Sequence, residues 1–464
     1  MIAMTLAEIA EVVGGLVHGH AEVTVTGEAF RDHREPVEGG LFVAIVGERV
    51  DGHDFAAAAV EGGAVAVLGT RPTEVPTVVV PDIVVALARL ARHVADRVRP
   101  TVLALTGSQG KTGTKDYLGQ VLAGVGQTVA TTGNLNNELG VPLTVLRCTA
   151  ETEYLVVEMG ARGIGHIAEL CRIAPPDVAA VLNVGTAHLG EFGSREAIAQ
   201  AKGELVEALG PEGTAVLNAG DDLVAAMRHR TPGHVLTFGE LADVSWRDVD
   251  LDDLGRPSFA LGHDGEWHDV SLGQPGGHQV VNATAAAALA LAVGVDLAHV
   301  ARALTAATPA SRWRMELHER ADGLVVVNDA YNANPASMAA ALDALVAIGG
   351  RRGARTVAVL GEMLELGAAT SDDHEDVGRY AAERGVDVVL TVGDVAAGIG
   401  RGAAGVPGWT GVTIPTAGRD EALAWVRENA AAGDVLLVKA SRGAALETVA
   451  EGLLHAVDEE EGSR

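Results

Sequence analysis

The chain has 464 residues, of which 48% are hydrophobic and only 3% aromatic, and its formal net charge at pH 7 is −28. This length exceeds one ordinary hydrophobic core and predicts roughly two to four domains, while the apolar content disfavours a disordered chain. The acidic balance argues against nucleic acid and against an anionic membrane surface as partners, because no broad basic surface is available to displace counterions from phosphates.

The cysteines and the N-terminus indicate the cellular context of the chain. Cys148 and Cys171 are the only cysteines, too few for a disulfide framework or a zinc ribbon. The first residues, MIAMTLAEIAEVVGG, carry acidic side chains where a signal peptide needs a basic segment. No apolar run reaches the roughly 20 residues of a membrane helix. We therefore expect a soluble, cytoplasmic protein without membrane insertion.

Three segments with different patterning follow one another along the chain. Residues 1–99 mix short Val-rich strands such as VTVTGEAF and GLFVAIVG with helical pieces. Residues 100–314 alternate strand-like runs such as YLVVEMG and TAVLNAG with helices, which is typical of a parallel sheet covered on both faces. Residues 242–275 interrupt this alternation and predict a small β insertion or edge. Residues 315–464 alternate again and predict a second, smaller doubly wound sheet.

A glycine-rich turn joins the buried strand TVLALTG to the helix-like run KTGTKDYLGQVLAG. Glycines let backbone amides approach a phosphate group, and a helix N-terminus adds a favourable dipole. Lys111 would span the β- and γ-phosphates of a nucleotide, and the Thr112 hydroxyl would hold Mg²⁺. A plain Gly-rich turn is the alternative. The predicted ATP-binding residues here are Thr106, Gly107, Ser108, Gln109, Gly110, Lys111, Thr112 and Gly113.

Three polar residues lie at or just beyond the ends of the following strands. Glu158 ends YLVVEMG, His188 follows VAAVLNVG, and Lys202 lies on the next helix. Ligands of parallel sheets gather at the carboxyl ends of strands, where a carboxylate and an imidazole could hold a second metal ion. Each residue alone also fits a structural role. Their grouping around one phosphate loop favours catalytic roles for Lys111, Glu158, His188 and Lys202.

Eight strings, in order and across nearly the whole chain, resemble the Mur ligase family. They are LTGSQGKTGTK, GNLNNELGVPLT, EMGARGIGHI, NVGTAHLGEFGS, IAQAKGEL, NDAYNANPASM, LGEMLELG and VKASRG. The resemblance implies an α/β protein of three domains: an N-terminal α/β domain for the UDP-linked substrate, a central P-loop-type doubly wound parallel sheet, and a C-terminal Rossmann-like domain. Several strings are most similar to the family member that attaches D-alanyl-D-alanine to UDP-N-acetylmuramoyl-tripeptide.

The resemblance also implies the reaction, an ATP-dependent ligation through an acyl phosphate with two Mg²⁺ ions. The terminal carboxylate of the tripeptide attacks the γ-phosphate, and the dipeptide amine then displaces phosphate from the activated carbonyl. Metals and a lysine would neutralise the charge that gathers there. A monomer that works by domain closure is the expected assembly.

Family motifs assign metal and substrate roles to further residues. Thr112, Glu158, His188 and Lys202 match metal-site positions, and Lys202 stands where the family carries a carbamylated lysine. Asp32 and Arg34 match positions near the uridine diphosphate. Positions expected to line the muramoyl, peptide or dipeptide sites are Asn134, Asn136, Asn137, Arg162, Lys439 and Arg442.

The same motifs assign nucleotide roles and show two departures. Asn282 matches an adenine-contacting asparagine, for which a helix cap is the alternative. Arg314 matches a phosphate-contacting arginine of the domain hinge, and Asp329 a carboxylate that binds ribose. His33 replaces a Ser or Thr, and Gly113 replaces a Thr that follows the Lys-Thr pair. We expect Gly113 to loosen the first helical turn.

Other functions stay open at the level of sequence. A sister ligase adds diaminopimelate or lysine, and a folylpolyglutamate-type synthetase shares the superfamily. The Asp-Asn-Pro-Arg string expected of the former does not occur in this chain. A non-catalytic, nucleotide-dependent scaffold of wall synthesis is a third candidate. It is disfavoured by the joint presence of five residues with expected catalytic or metal-binding roles, namely Lys111, Thr112, Glu158, His188 and Lys202.

Overall fold

The computed structural model describes residues 1–47, 49–185 and 192–455 of the chain. Within these ranges the strands form three large sheets and a two-stranded ribbon, and helices pack against the sheets. The predicted α/β class with largely parallel sheets is confirmed. None of the helices described there is both long and apolar enough to cross a membrane.

The N-terminal region contains short strands and helices. In chain order its strands are β1 (Met4–Thr5), β2 (Leu16–His18), β3 (Thr24–Val25), β4 (Ala29–Phe30), β5 (Leu41–Val43), β6 (Ala66–Gly69) and β7 (Thr77–Val79). β1 and β3 form an antiparallel ribbon, and the others form a sheet of order β2–β7–β6–β5–β4. Its helices are α1 (Leu6–Val13), α2 (Ala56–Glu61) and α3 (Ile83–Val98). Thr5 and Glu8 start α1 with a reciprocal capping box.

The central sheet has nine strands. They are β8 (Thr101–Thr106), β9 (Thr128–Ala130), β10 (Tyr154–Glu158), β11 (Val178–Val181), β12 (Thr214–Asn218), β13 (His234–Phe238), β14 (Val244–Leu251), β15 (Pro257–His263) and β16 (Glu266–Ser271). Their order is β16–β15–β14–β13–β12–β11–β8–β10–β9. β8 to β13 are parallel, whereas β14, β15 and β16 pair antiparallel at one edge. The β edge predicted within residues 242–275 is confirmed.

Helices cover both faces of the central sheet. They are α4 (Lys111–Ala123), α5 (Gly140–Val145), α6 (His166–Ile173), α7 (Arg195–Glu207), α8 (Asp222–Ala225), α9 (His278–Ala292) and α10 (Leu297–Ala306). A hydrophobic core lies on each face of the sheet, and alternate residues of β8 point into one or the other. Leu103 and Leu105 pack with α4 and α9, whereas Val102 and Ala104 pack with α5 and α6. A strand buried on both faces reads as a continuous apolar run, which explains TVLALT.

The C-terminal sheet has six strands. They are β17 (Glu316–Glu319), β18 (Val325–Asp329), β19 (Thr356–Leu360), β20 (Val388–Val392), β21 (Val412–Thr416) and β22 (Val435–Lys439). The order is β17–β18–β22–β19–β20–β21, and only β17 is antiparallel to its neighbour. Its helices are α11 (Pro335–Arg352), α12 (Thr370–Glu383), α13 (Ala397–Ala404), α14 (Arg419–Asn429) and α15 (Glu447–His455). The domain boundaries expected after residues 99 and 314 stay predictions.

Two glycines allow α12 and α13 to pack closely. A Cβ atom added to Gly378 would lie 1.8 Å from the Ile399 carbonyl oxygen, and one added to Gly402 would lie 1.9 Å from the Glu375 carbonyl oxygen. Both distances are far below van der Waals contact. The helix pair therefore requires glycine at these positions.

We predict that Gly378→Ala lowers the free energy of unfolding by about 1–3 kcal/mol, because the added methyl group forces the two helices apart. Gly350→Ala is the matched control, since Gly350 is an exposed residue of α11 with open space around its Cβ position. Urea unfolding of the full chain measures both variants. An unchanged midpoint for Gly378→Ala would contradict the packing described here.

Candidate active site

A cavity of about 900 Å³ opens where the carboxyl ends of the central strands meet the C-terminal sheet. Most residues that the sequence predicts to bind ATP, metal or substrate line this cavity. They are Gly107, Ser108, Gln109, Gly110, Lys111, Thr112, Gly113, Asn134, Asn136, Asn137, Glu158, Arg162, Lys202, Asn282, Arg314, Asp329, Lys439 and Arg442. The fold therefore makes them neighbours, while the role of each one stays a prediction.

Thr106 is the predicted nucleotide-binding residue that does not line the cavity. Thr106 is fully buried at the end of β8, and its hydroxyl has no hydrogen-bond partner among the described residues. His188 lies within residues 186–191, outside the described residues. Its expected role as a metal ligand therefore stays a prediction from the sequence.

The positions expected to contact the uridine diphosphate lie in the N-terminal region and do not line the cavity. Asp32 and Arg34 form an ion pair with 2.5 Å between Oδ2 and Nη2. The hydrogen bond from Arg34 lowers the pKa of Asp32 to about 2. The His33 ring stacks on Phe55 with 4.2 Å between ring centroids. His33 thus places a flat aromatic ring next to the Asp–Arg pair in the chain.

The phosphate loop turns sharply between β8 and α4. Gly110 is the N-cap of α4 and has φ 79°, in the left-handed region that favours glycine. The Lys111 ammonium donates a hydrogen bond to the Gly107 carbonyl oxygen at 2.8 Å and so lies back over the loop. Burial lowers the pKa of Lys111, and the nearby Glu158 carboxylate opposes this shift.

Asn183 braces the phosphate loop, and the sequence reasoning missed this residue. Its Oδ1 accepts the Gln109 N–H at 2.9 Å, and its Nδ2 donates to the Gln109 carbonyl at 3.1 Å. The Ser108 hydroxyl accepts the Gly185 N–H at 2.9 Å. The available signal was the asparagine that directly follows the strand run in NVGTAH.

Glu158 joins the loop to the asparagine segment. The Thr112 hydroxyl donates to Glu158 Oε2 at 2.9 Å, and Asn136 Nδ2 donates to Oε1 at 2.7 Å. Glu158 is 2% exposed, so these two hydrogen bonds satisfy a carboxylate that has almost no contact with water. Neighbouring carboxylate and hydroxyl oxygens are the donors that Mg²⁺ prefers, and the residues present fit that ion.

Lys202 projects from α7 into the same cavity. The residue is 7% exposed, and burial together with the Lys111 charge holds the pKa of Lys202 well below its usual range. A lowered pKa favours the neutral amine, whose nitrogen carries a nucleophilic lone pair.

Asn282 lies against the first turn of α4. A Cβ atom at Gly113 would lie 3.0 Å from Asn282 Nδ2, and one at Gly110 would lie 2.4 Å from Asn282 Oδ1. Asn282 Nδ2 donates to Gln279 Oε1 at 3.1 Å. The α4 helix starts at Lys111, and the absence of a side chain at residue 113 leaves room for the Asn282 amide. The loosening of the first turn expected from Gly113 stays a prediction.

Glu204 holds the start of α6, which follows Arg162 in the chain and forms part of the cavity wall. It accepts hydrogen bonds from the N–H groups of Gly165 at 2.5 Å and of Ala168 at 3.0 Å. These groups are the N-cap and third-residue amides of α6, so one distant carboxylate replaces both acceptors of a capping box. Arg162 and His166 on this wall line the cavity.

A buried ion pair forms part of the cavity wall on the side of the C-terminal sheet. Lys439 Nζ lies 2.5 Å from Asp329 Oδ2 and donates to the Asn332 carbonyl at 2.8 Å. Register places the two residues side by side on β18 and β22. Asp329 also accepts the Met315 N–H at 3.1 Å, which ties the segment before β17 to this sheet.

Two arginines of the cavity rest on aromatic rings. The Arg314 guanidinium carbon lies 4.2 Å from the Tyr331 ring centroid, and that of Arg442 lies 4.4 Å from the Trp313 ring centroid. Arg442 also forms an ion pair with Glu447 at 2.5 Å. Such stacking holds a guanidinium in place while leaving its edge available to an anion.

His374 shapes the LGEMLELG loop, although no role for it followed from the sequence. Its Nε2 accepts the Met363 N–H at 3.0 Å, so its Nδ1 carries the proton and donates to the Thr370 carbonyl at 2.5 Å. Ser441 holds the same loop by accepting the Leu364 N–H at 2.9 Å. Leu364 and Ser441 line the cavity.

Family profiles cover most of the chain. Residues 34–105 match "Mur ligase family, catalytic domain", residues 105–290 match "Mur ligase middle domain", and residues 313–442 match "Mur ligase, glutamate ligase domain".

Individual proteins are similar over nearly their whole length. The chain is 45% identical to "UDP-N-acetylmuramoyl-tripeptide--D-alanyl-D-alanine ligase" of Mycobacterium tuberculosis, over 98% of each chain, and 36% identical to the protein of the same name from Escherichia coli, over 98% and 99%. The crystal structure of MurF from Acinetobacter baumannii matches with a TM-score of 0.85 and 33% identity, over 98% of this chain and 99% of that one. MurF from Thermotoga maritima in complex with ADP matches with a TM-score of 0.76 and 30% identity, over 94% and 99%. This chain therefore belongs to the Mur ligase family.

Proposed function

We propose that the chain joins D-alanyl-D-alanine to UDP-N-acetylmuramoyl-tripeptide at the expense of ATP, giving the pentapeptide precursor of peptidoglycan. The observation that carries this proposal is the single cavity in which the phosphate loop and Lys202 face Asp329 and Lys439. The relatives described above are named for this reaction, and one solved relative contains ADP. The proposed setting is the cytoplasm, and the proposed assembly is a monomer.

The nucleotide takes the side of the cavity formed by α4. Backbone amides at the start of α4 and the Lys111 ammonium face the β- and γ-phosphates, where their charge opposes that of the phosphates. Arg314 approaches the same phosphates from its position on Tyr331, and Asp329 receives the ribose. The Asn282 side chain lies against the start of α4 and so limits where the adenosine can bind.

Metal ligands come from the neighbouring strand ends. Thr112 and Glu158, together with His188 and a carbamylated Lys202, would hold two Mg²⁺ ions, which when bound neutralise charge between the γ-phosphate and the attacking carboxylate. Asn136 keeps the Glu158 carboxylate in one orientation through its 2.7 Å hydrogen bond. A fixed carboxylate loses little further freedom when a cation arrives.

The acceptor peptide binds along the cavity wall formed by Asn134, Asn137 and Arg162. Its UDP end lies near Asp32 and Arg34. Its terminal carboxylate attacks the γ-phosphorus, the bond to ADP breaks, and an acyl phosphate forms. The neutral amine of D-alanyl-D-alanine then attacks the acyl carbon. The amide bond forms, inorganic phosphate leaves, and the amine nitrogen gives up a proton.

The dipeptide takes the C-terminal side of the cavity. Arg442 presents a cation there, held in place by Trp313 and Glu447, and Lys439 lies deeper behind Asp329. A carboxylate at the end of the dipeptide pairs with the edge of the Arg442 guanidinium, which leaves the amine directed toward the acyl phosphate.

We predict that phosphate release from ATP requires both UDP-N-acetylmuramoyl-tripeptide and D-alanyl-D-alanine, and that the product has the mass of the pentapeptide. Phosphate release and mass spectrometry of the product are the measurements. Turnover with diaminopimelate or lysine, but none with the dipeptide, would instead identify a sister ligase. ATP binding without substrate-dependent release would identify a scaffold.

We predict that Lys202→Ala lowers kcat by on the order of a hundredfold or more, because an anionic oxygen donor is lost from the site. Short carboxylates such as acetate should restore part of the activity by occupying the vacated space. Lys202→Arg is the matched control, since it keeps a cation that carbon dioxide cannot carbamylate, and it should resist rescue. Full activity of Lys202→Ala without any carboxylate would disprove the role.

A further inference from the structure

Lysine is rare in this chain and is confined to one region of the structure. Of its 34 Lys and Arg residues only four are lysine, namely Lys111, Lys115, Lys202 and Lys439. Three of them are nearly buried, with 3% exposure at Lys115, 7% at Lys202 and 2% at Lys439. A lysine carries a compact ammonium on a flexible stem, which differs from the planar guanidinium of the far more frequent arginine.

Lys115 is the member of this set to which the proposed reaction assigns no role. Unlike the other three it does not line the cavity. It lies on α4 one turn after Lys111, and its side chain is 4% exposed. Its ammonium forms an ion pair with Asp116 and lies 3.5 Å from the Ser311 hydroxyl oxygen. Ser311 belongs to residues 307–315, which we call the linker because it connects α10 to β17.

A second residue of α4 holds the linker as well. Gln120 Nε2 donates to the Thr308 carbonyl at 3.0 Å, and Gln120 Oε1 accepts the Thr308 N–H at 2.9 Å. The helix that begins at the phosphate loop therefore holds the linker at two points, one of them through Lys115.

The far end of the linker carries Arg314 into the cavity. The residues on either side of it, Trp313 and Met315, have φ of 57° and 50°, which side chains other than glycine rarely adopt. A strained backbone persists only where its surroundings over-determine it. Here the Trp313 carbonyl accepts the Tyr331 N–H at 3.1 Å, and the Met315 N–H donates to Asp329 at 3.1 Å.

We infer that Lys115 is a positioning residue that holds the linker against α4 so that Arg314 reaches the nucleotide phosphates. The inference rests on the proposed function, because it gives Arg314 its ligand. A lysine ammonium has three donors and is compact, so a carboxylate, a hydroxyl and a small space can satisfy it. A guanidinium has five donors on a rigid plane, and those left without acceptors at a buried position would carry a large penalty.

Hydrogen exchange tests the attachment of the linker without any substrate. Lys115→Met keeps the length of the side chain and removes its charge, and we expect the amides of residues 308–314 to exchange roughly tenfold faster, as the loss of one hydrogen bond to a charged group predicts. Arg302→Met is the control, because Arg302 is an exposed cation on α10 just ahead of the linker. It should leave exchange and activity as in the unmodified chain. Unchanged exchange in Lys115→Met would overturn the inference, whatever the chain turns out to ligate.

A double-mutant cycle tests whether Lys115 acts through Arg314. We expect Lys115→Met to lower kcat about tenfold in the unmodified chain but less than about twofold in the Arg314→Ala background, since residues acting through one contact are not additive. A role confined to stability would lower both backgrounds by the same factor. Equal factors would therefore overturn the inference.

Two further variants keep the test decisive if Lys115→Met does not fold. Ser311→Ala removes the partner on the linker side while leaving the core of α4 intact, and it should accelerate exchange in the same segment. Lys115→Arg keeps the charge and changes the shape, and we expect it to accelerate exchange of residues 308–314 as well. Behaviour of both variants identical to that of the unmodified chain would overturn the inference.

Discussion

Parallel strand register is the constraint on which the whole site depends. In the C-terminal sheet it sets Asp329 beside Lys439, so that a buried carboxylate and ammonium meet at 2.5 Å. In the central sheet it sets Glu158 beside Leu105, one residue from the start of the phosphate loop. Parallel strands all present their carboxyl ends on one edge. Two such edges facing each other give the cavity its polar lining, while the strands behind them stay apolar.

The cavity brings several cations together in a chain that is acidic overall. The net charge is −28, yet Lys111, Lys202, Lys439 and Arg314 converge on one space. Lys202 and Lys439 are nearly buried, and charges interact more strongly in such surroundings than at the surface. Burial lowers the pKa of Lys111 and Lys202. The Glu158 carboxylate raises the pKa of Lys111 against this effect of burial, whereas the neighbouring Lys111 charge lowers the pKa of Lys202 further.

Two helices connect separate parts of the site. α7 carries Lys202 on one side and, through Glu204, holds the start of α6 on the other. α4 begins directly after the phosphate loop, and its residue Lys115 contacts the linker. Each of these two helices therefore contacts two separate parts of the site.

The sequence by itself determined the features that depend on neighbouring residues. The strand–turn–helix of the phosphate loop, the strand–helix alternation and the polar strand end at Glu158 all rest on local chemistry, and the structure has each of them. Only the tertiary structure decided which distant groups complete them. Asn183 braces Gln109 from 74 residues away, Glu204 caps Gly165 across 39 residues, and Lys115 reaches the linker 196 residues ahead. An isolated Asn, Glu or Lys has the same local pattern on a solvated surface as at such a contact, because burial and partners arise only when the chain folds.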